Sequence, residues 1–138
     1  MTKQQLIYEN VQAVKERIQN AAKKAGRNPE DIHLVAATKM NDAECVKAAI
    51  KAGIKIAGEN RVQELVEKYE QKAYDGAELH FIGSLQTNKV KFLVGKVSLI
   101  QSVDSEKLAG VIAKYAQKNK ISQDILLEVN IAKEAYKG

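Results

Sequence analysis

One lysine in the chain stands where a parallel α/β fold places its reactive groups. Lys39 lies just after Thr38, which follows the apolar run Leu34 to Ala37. A polar turn at residues 28–31 precedes that run. An unbroken apolar run of this length is typical of a strand buried on both faces of a parallel sheet. Ligands of such sheets bind at the carboxyl ends of the strands. Lys39 is therefore a candidate binding or reacting group.

This stretch alone leaves two interpretations of Lys39 open. A lysine held partly desolvated at a strand end has a lowered pKa, and its neutral amine can attack a carbonyl group to form a Schiff base. In the simpler interpretation, Lys39 only ends the strand and extends its ammonium group into water.

The elements that must position Lys39 alternate along the chain. Apolar spacing predicts a first helix over Thr2 to Ala25, with Thr2 and Gln5 as a capping box and Gly26 just past its end. Apolar runs predict five strands, and amphipathic helices are predicted between them, the second helix with Asn41 as its cap. The predicted strands are residues 34–37, 54–57, 79–82, 97–101 and 125–129.

Repeated alternation of strand and helix indicates a parallel sheet with right-handed crossovers. Two architectures fit: a five-stranded doubly wound sheet, or an eight-stranded βα barrel of which the chain is an incomplete part. We expect the TIM-like barrel, truncated after the fifth strand, because only Ile131 to Gly138 remain to cover that strand. Residues 1–138 would then be one domain whose C-terminal part is missing.

Composition narrows the class of protein. Hydrophobic content of 45% with 28% charged residues is ordinary for a globular domain, and no apolar run is long enough for a membrane span. The N-terminus lacks the apolar core of a signal peptide, and the single cysteine, Cys45, fits a reducing cytoplasm. The net charge of +5 is spread over lysines along helix faces, which does not argue for specific nucleic-acid binding.

Polar side chains are predicted to follow the strands at one rim of the sheet, which suits a small polar ligand. Several of them are also natural helix N-caps: Asn60, Asn88, Asp104 and Ser105. His33 and His80 are both expected to lie in strands, without acidic or Cys partners at metal-ligand spacing, so we expect no metal. The rim residues are Lys39, Glu59, Asn60, Ser84, Gln86, Asn88, Ser102, Asp104, Asn130 and Glu134.

Five motifs in one order carry a resemblance to a known family. They are Leu34-Val-Ala-Ala-Thr-Lys39, Gly58-Glu-Asn-Arg-Val-Gln-Glu64, His80-Phe-Ile-Gly-Ser-Leu-Gln-Thr-Asn-Lys89, Ser102-Val-Asp-Ser105 and Val129-Asn-Ile-Ala-Lys-Glu134. Over nearly its whole length the chain resembles the pyridoxal phosphate homeostasis proteins, single-domain relatives of the alanine racemase barrel. Many family members have His where this chain has Gln101, and the family's phosphate-binding loops belong to later strands.

The resemblance implies a function and a set of contacts. Lys39 would carry pyridoxal phosphate as an aldimine, and Asn60 would line the cofactor. His80, Ser84 and Asn130 are the further cofactor-binding residues that we expect. The protein would act in vitamin B6 homeostasis, would serve apoenzymes that use the cofactor, and would be a cytoplasmic monomer when complete.

Two other functions stay open beside this one. An amino-acid racemase would use the same lysine, but racemisation needs a second acid or base on the opposite face of the substrate. The five tyrosines of this chain lie on predicted helices or polar loops, so we favour binding over catalysis. A basic surface-binding module is the third alternative, and salt-dependent affinity for nucleic acid would identify it.

Overall fold

The computed structural model describes residues 1–132 of the chain. Two short 3-10 helices accompany the regular elements, at Pro29–Asp31 and Thr87–Phe92. The α-helices are α1 (Lys3–Lys24), α2 (Ala43–Lys51), α3 (Val62–Glu70) and α4 (Glu106–Lys118). The strands are β1 (Ala36–Ala37), β2 (Ile56–Glu59), β3 (Glu78–Phe81), β4 (Leu99–Val103) and β5 (Asp124–Leu127).

The five strands form one parallel sheet in the order β1-β2-β3-β4-β5. Sequential order means that every crossover advances in the same direction, and right-handed crossovers then place all the helices on one face. A doubly wound sheet instead reverses its strand order near the first strand and has helices on both faces. The order therefore confirms the TIM-like βα arrangement and excludes the doubly wound alternative.

One hydrophobic core joins the helices to the outer face of the sheet. It takes Val46 from α2, Leu65 from α3 and Ile112 from α4, and packs them against Phe81 and Ile100 of the central strands. These residues are almost completely buried. The opposite, inner face is closely filled at Gly58, where an added Cβ would lie 2.9 Å from the side chains of Val35 and Ile82.

Helix α1 has the bounds and the caps that its sequence predicts. The side chain of Thr2 accepts a hydrogen bond from the backbone of Gln5, and the Gln5 side chain accepts one from the backbone of Thr2. Gly26 follows the helix with a φ of +71°, a conformation that glycine adopts without steric cost. A second, smaller core packs Val11 of this helix against Ile54.

The predicted strand boundaries need correction, most of all for β1. Only Ala36 and Ala37 of the predicted run pair in the sheet, and Ala37 is exposed rather than buried on both faces. Strand β1 is an edge strand, so among the described residues it has one hydrogen-bonded neighbour, β2. An apolar run at a sheet edge thus resembles an interior strand in its sequence.

Strands β2 and β4 begin two residues later than predicted. Ile54 and Val97 are buried, but their N–H groups donate to Ala49 and Leu93 in the turns after the preceding helices. Polar residues such as Glu59 and Ser102 complete the strands instead and are also buried. Hydrophobic residues indicate which positions are buried, whereas the ends of a strand depend on which backbone groups pair with the neighbouring strand. At the start of β2 and of β4, the buried residues are not the paired ones.

Candidate functional site

The predicted site residues collect at the carboxyl edge of the sheet, with one exception. Lys39 comes two residues after β1 and Asn60 directly follows β2. Ser84 and Asn130 each come three residues after their strands, β3 and β5. His80 lies within β3 and not at its end. Glu134, the last rim residue that we predict, lies outside the described residues.

Lys39 is exposed to solvent. We expect a partly desolvated side chain there, and the described residues do not provide that environment. Lys39 follows β1, which is the edge strand of the sheet among the described residues. The side chain of Lys39 can therefore be reached by a ligand from solvent.

The residue before Lys39, in contrast, is buried, and hydrogen bonds join it to β2 and to α3. The backbone N–H of Thr38 donates to the carbonyl oxygen of Gly58 at 2.9 Å, which continues the β1–β2 pairing. Its hydroxyl donates to Oε2 of Glu59 at 2.6 Å. Its carbonyl oxygen accepts from Nζ of Lys68 at 2.8 Å.

The residue after Lys39 adopts an uncommon backbone conformation. Met40 has a φ of +63°, a left-handed geometry that costs a residue with a Cβ roughly 1–2 kcal/mol. Its N–H donates to Oε2 of Glu64 on α3, at 2.6 Å. A carboxylate acceptor makes this a charge-assisted hydrogen bond, which is stronger than an ordinary backbone bond.

Asn41 does not cap α2 as predicted. The helix begins one residue later than that cap requires, and Asp42 accepts the capping bond from the N–H of Cys45 at 2.9 Å. This hydrogen bond lowers the pKa of Asp42. Asn41 instead closes the turn after β1, because its N–H donates to Thr38 and its side chain donates to the carbonyl oxygen of Lys39.

Behind this turn lies a group that we call the Lys68 cluster, formed by Thr38, Glu59, Glu64, Lys68 and Tyr74, of which only Glu64 is partly exposed. Nζ of Lys68 has three acceptors, which matches the three protons of an ammonium group: the Thr38 carbonyl at 2.8 Å, Glu59 at 2.9 Å and Glu64 at 2.7 Å. Lys68 is 5% exposed and Glu59 is fully buried. Glu59 therefore faces α3 and is not a rim residue as predicted.

The cluster shifts the ionisation of its members. Burial would raise the pKa of Glu64, but hydrogen bonds from Lys68 and from the N–H of Met40 outweigh it, so the pKa is lowered. Burial raises the pKa of Tyr74, and the hydrogen bond that its hydroxyl donates to Glu59 raises it further. Glu64 is consequently a carboxylate, and Tyr74 is a neutral phenol at physiological pH.

Asn60 has a buried side-chain oxygen with no hydrogen-bond partner among the described residues. It does not cap α3, since Arg61 occupies the N-cap position and makes no side-chain capping bond. Its backbone is held closely from the neighbouring loop, where a Cβ on Gly83 would lie 2.7 Å from Cα of Asn60. Only glycine allows this contact between the loops that follow β2 and β3.

His80 is buried on the inner face of the sheet, in register with Gly58 and Leu99. The side-chain amide of Gln101 lies 3.0 Å from its Nδ1. Because an amide nitrogen can only donate, Nδ1 accepts and the proton of the neutral ring is on Nε2. Burial lowers the pKa of His80, and nearby Glu78 offsets part of that shift.

The remaining rim residues divide into caps and loop positions. Ser105 caps α4, as predicted, by accepting from the N–H of Leu108 at 3.1 Å. Asn88 lies inside the second 3-10 helix, so it is not a cap. The hydroxyl of Ser102 donates to the carbonyl oxygen of Gly83 at 2.5 Å and ties β4 to the loop that carries exposed Ser84.

Three members of the Lys68 cluster are not predicted as site residues from the sequence: Glu64, Lys68 and Tyr74. The four-residue spacing of Glu64 and Lys68 is a signal for an ion pair, but such pairs are usually on the exposed side of a helix. Tyr74 lies in a polar stretch that predicts a loop, and it is nevertheless buried. Hydrophobic patterns alone do not identify a polar group buried between a helix and a sheet.

Two classes of feature are absent from residues 1–132. No helix there combines the length and the apolar character needed to cross a membrane. In the same part of the chain, no group of three or more His, Cys, Asp or Glu side chains is placed to hold a metal ion.

Curated relatives match the chain over almost its whole length. A "Pyridoxal phosphate homeostasis protein" of Aquifex aeolicus is 48% identical over 130 residues, which are 94% of this chain and 57% of that protein. The protein of the same name from Escherichia coli K12 is 33% identical over 135 residues, or 96% of this chain and 58% of the relative. The chain thus spans little more than half the length of these relatives. No family profile matches it.

Solved structures share the fold. An unknown protein from Bifidobacterium adolescentis is 36% identical and superposes with a TM-score of 0.90, over 100% of this chain and 61% of that one. PipY of Synechococcus elongatus, in its structure with PLP bound, is 31% identical with a TM-score of 0.72, over 86% of this chain and 56% of PipY. Together with the five motifs and the strand order, these matches show that the chain is similar, over nearly its whole length, to somewhat more than half the length of the pyridoxal phosphate homeostasis proteins.

Proposed function

We propose that the protein to which this chain belongs binds pyridoxal phosphate at Lys39 and acts in intracellular homeostasis of that vitamin B6 cofactor. The observation that carries the proposal is the position of Lys39 at the carboxyl edge of a sheet that matches PipY in its PLP-bound form. When bound, pyridoxal phosphate supplies an aldehyde that lysine amines attack.

The described residues fit such a ligand. Lys39 offers an exposed amine on a turn whose backbone is held from both sides. Asn60, on the neighbouring strand end, has a buried amide oxygen without a partner among residues 1–132, and an unfilled polar atom of this kind suits a polar ligand. Ser84 and Asn130 are proposed contacts at the following strand ends, and His80 is proposed to contact the cofactor from the inner face.

We favour binding over catalysis of an amino-acid reaction. A racemase needs a second acid or base opposite the lysine, and in this chain the described tyrosines do not supply one at the rim. Tyr8, Tyr69 and Tyr115 lie on helices, and the Tyr74 hydroxyl is engaged by Glu59 on the helix side of the sheet. Tyr136 lies outside the described residues. The homeostasis names of the relatives support the same choice.

We also propose which partners the protein serves and where in the cell it acts. A protein that holds pyridoxal phosphate reversibly is suited to deliver it to apoenzymes in the cytoplasm. We propose that the protein to which this chain belongs works as a monomer. We also propose that it does not bind nucleic acid specifically, since the +5 charge of the chain is spread over many lysines. Weak, strongly salt-dependent affinity for nucleic acid would be compatible with this, whereas sequence-specific affinity would contradict it.

A spectroscopic titration tests the proposed function. Adding pyridoxal phosphate to the purified chain should change the absorption spectrum of the cofactor, and Lys39→Ala should abolish the change. Lys55→Ala is the matched control, because Lys55 is also exposed but lies at the opposite, amino end of β2. The same spectral change in Lys39→Ala as in the unaltered chain would contradict the assignment.

The same titration with Asn60→Asp tests whether Asn60 contacts the cofactor. The substitution keeps the size of the side chain and removes its amide donor, and it adds a negative charge beside the proposed position of an anionic ligand. Cofactor affinity should fall because the added charge repels an anionic ligand. Urea unfolding of the variant measures separately how much the partly buried carboxylate destabilises the chain. Unaltered affinity would remove Asn60 from the proposed site.

A further inference from the structure

Lys39 is positioned through its two neighbours in the chain, and both are held by the same pair of charged side chains. The carbonyl oxygen of Thr38 accepts from Lys68 at 2.8 Å, and the N–H of Met40 donates to Glu64 at 2.6 Å. Lys68 and Glu64 are themselves joined at 2.7 Å. The ion pair thus spans the turn from one side of Lys39 to the other.

The Glu64–Lys68 ion pair is held in a fixed position. Lys68 is 5% exposed, and each of its three ammonium protons has an acceptor. One of these acceptors is Glu59, which is fully buried and lies 2.9 Å from Nζ of Lys68. A long lysine side chain on a strand end can otherwise point in many directions, at a substantial entropic cost when it is fixed. Holding the backbone on both sides removes part of that freedom before any ligand arrives.

The left-handed backbone of Met40 is the conformation that the Glu64–Lys68 pair stabilises. A φ of +63° is unfavourable for methionine, and Met40 is highly exposed, so side-chain packing does not stabilise the conformation. The charge-assisted bond from its N–H to Glu64 is a specific stabilising contact. Without Glu64, the turn can relax to right-handed or extended backbone, and the direction of the Lys39 side chain then changes.

We infer that Glu64 and Lys68 are positioning residues for Lys39, which hold the turn at residues 38–40 so that the lysine amine faces the cofactor. The inference rests on the proposed function, because it concerns how readily Lys39 reacts with pyridoxal phosphate. A merely structural role would be to fasten α3 to the sheet, and it would affect stability without a local effect at Met40 or Lys39.

Glu64→Ala separates the two roles. Glu64→Gln is the conservative variant, since its amide oxygen can still accept from Met40. Glu67→Ala is the matched control, because it removes an exposed carboxylate from the same helix. Each variant is analysed by amide hydrogen exchange at Met40, and by borohydride trapping of pyridoxal phosphate with peptide mapping of Lys39 against exposed Lys47.

In Glu64→Ala, exchange at Met40 should rise about tenfold relative to amides in α4, as the loss of one charge-assisted hydrogen bond implies. Labelling of Lys39 relative to Lys47 should fall roughly tenfold, because a displaced amine reacts less often in the productive geometry. Glu64→Gln should restore most of both values, and Glu67→Ala should match the unaltered chain.

The outcomes distinguish the inference from the proposed function. If the unaltered chain shows no preferential label on Lys39, the proposed function fails and the inference falls with it. If Lys39 is labelled in the unaltered chain and equally in Glu64→Ala, only the positioning role is overturned. Greater exchange at Met40 with unchanged labelling of Lys39 would overturn it as well.

Discussion

Among single residues, Lys68 is the cation that compensates the buried carboxylate of Glu59. Lys68→Met would leave the carboxylate of Glu59 buried without a cation, and removing one partner of a buried pair typically costs about 3–5 kcal/mol. Urea unfolding should show this loss. Lys47→Met, in an exposed pair with Glu44, should change the unfolding free energy by less than about 0.5 kcal/mol.

A double variant checks the physical reason for that loss. Glu59→Gln combined with Lys68→Met removes both buried charges, so the double variant should be more stable than Lys68→Met alone. If the single and double variants unfold at the same urea concentration, the buried charge of Glu59 is not the source of the destabilisation.

His80 gives stability a dependence on pH. Burial lowers the pKa of its ring below the ordinary 6.5, so the unfolded chain binds a proton at a higher pH than the folded chain does. The stability contributed by the neutral ring is therefore complete above pH 6.5 and is lost as the pH falls below that value. Protonation also removes the acceptor that Gln101 uses on Nδ1.

Unfolding free energies measured in urea between pH 5 and pH 8 test this dependence. His80→Asn should flatten the decline below pH 6.5, whereas His33→Asn, at an exposed position before β1, should retain it. A decline of equal slope in His80→Asn and in the unaltered chain would assign the pH dependence to other groups.

At the level of secondary-structure elements, the site depends on one close contact between loops. Gly83→Ala would place a Cβ 2.7 Å from Cα of Asn60, which the backbone must avoid by moving. We expect a loss of about 1–3 kcal/mol in unfolding free energy, as for other overpacked positions, and weaker binding of pyridoxal phosphate because Asn60 is displaced.

Gly110→Ala is the control for that substitution. Gly110 lies in α4 with nothing within 4 Å of the added Cβ, so alanine there should stabilise the chain by about 0.5–1 kcal/mol. Equal stability of Gly83→Ala and the unaltered chain would show that the two loops do not approach each other as closely as described.

The helices were easier to predict than the strands, for a physical reason. In α1 the caps and the apolar spacing are local, so Thr2, Gln5 and Gly26 determine its bounds without tertiary information. A strand boundary depends on pairing with a distant segment. Ile54 therefore looks like the start of β2 although its N–H bonds back to Ala49, and buried Glu59 ends the strand although it looks like a loop residue.

In the site, too, the residues whose positions depend on nearby sequence were predicted, and those that depend on distant contacts were not. Lys39 and Asn60 could be placed at strand ends from the motifs and from the alternation of strands and helices. The Lys68 cluster could not, because its members are far apart in sequence and meet only when α3 packs on the sheet. The sequence of Met40 likewise gives no sign of its left-handed backbone.

For the whole molecule, the open side of the sheet is the feature with consequences in solution. Strand β5 pairs with β4 only among the described residues, and the exposed fractions of Leu127, Val129 and Ile131 are 70%, 71% and 87%. Unpaired strand edges with exposed apolar side chains promote association. The 138-residue chain should therefore self-associate with increasing concentration in sedimentation velocity experiments.

Charged substitutions test which surface is responsible. Leu127→Lys with Val129→Lys should shift the chain towards monomer, because charged side chains block pairing at an edge. Leu6→Lys, at an exposed apolar position on α1, is the control and should leave association unchanged. Concentration-independent sedimentation as a monomer in the unaltered chain would contradict the prediction.

Covalent trapping shows whether Lys39 is the residue that holds pyridoxal phosphate, as we propose. The chain is incubated with pyridoxal phosphate, reduced with borohydride, digested and mapped by mass spectrometry. We expect the cofactor on the peptide containing Lys39, at a level well above that at surface lysines such as Lys47 and Lys55. Equal labelling of all exposed lysines, or a dominant label elsewhere, would contradict it.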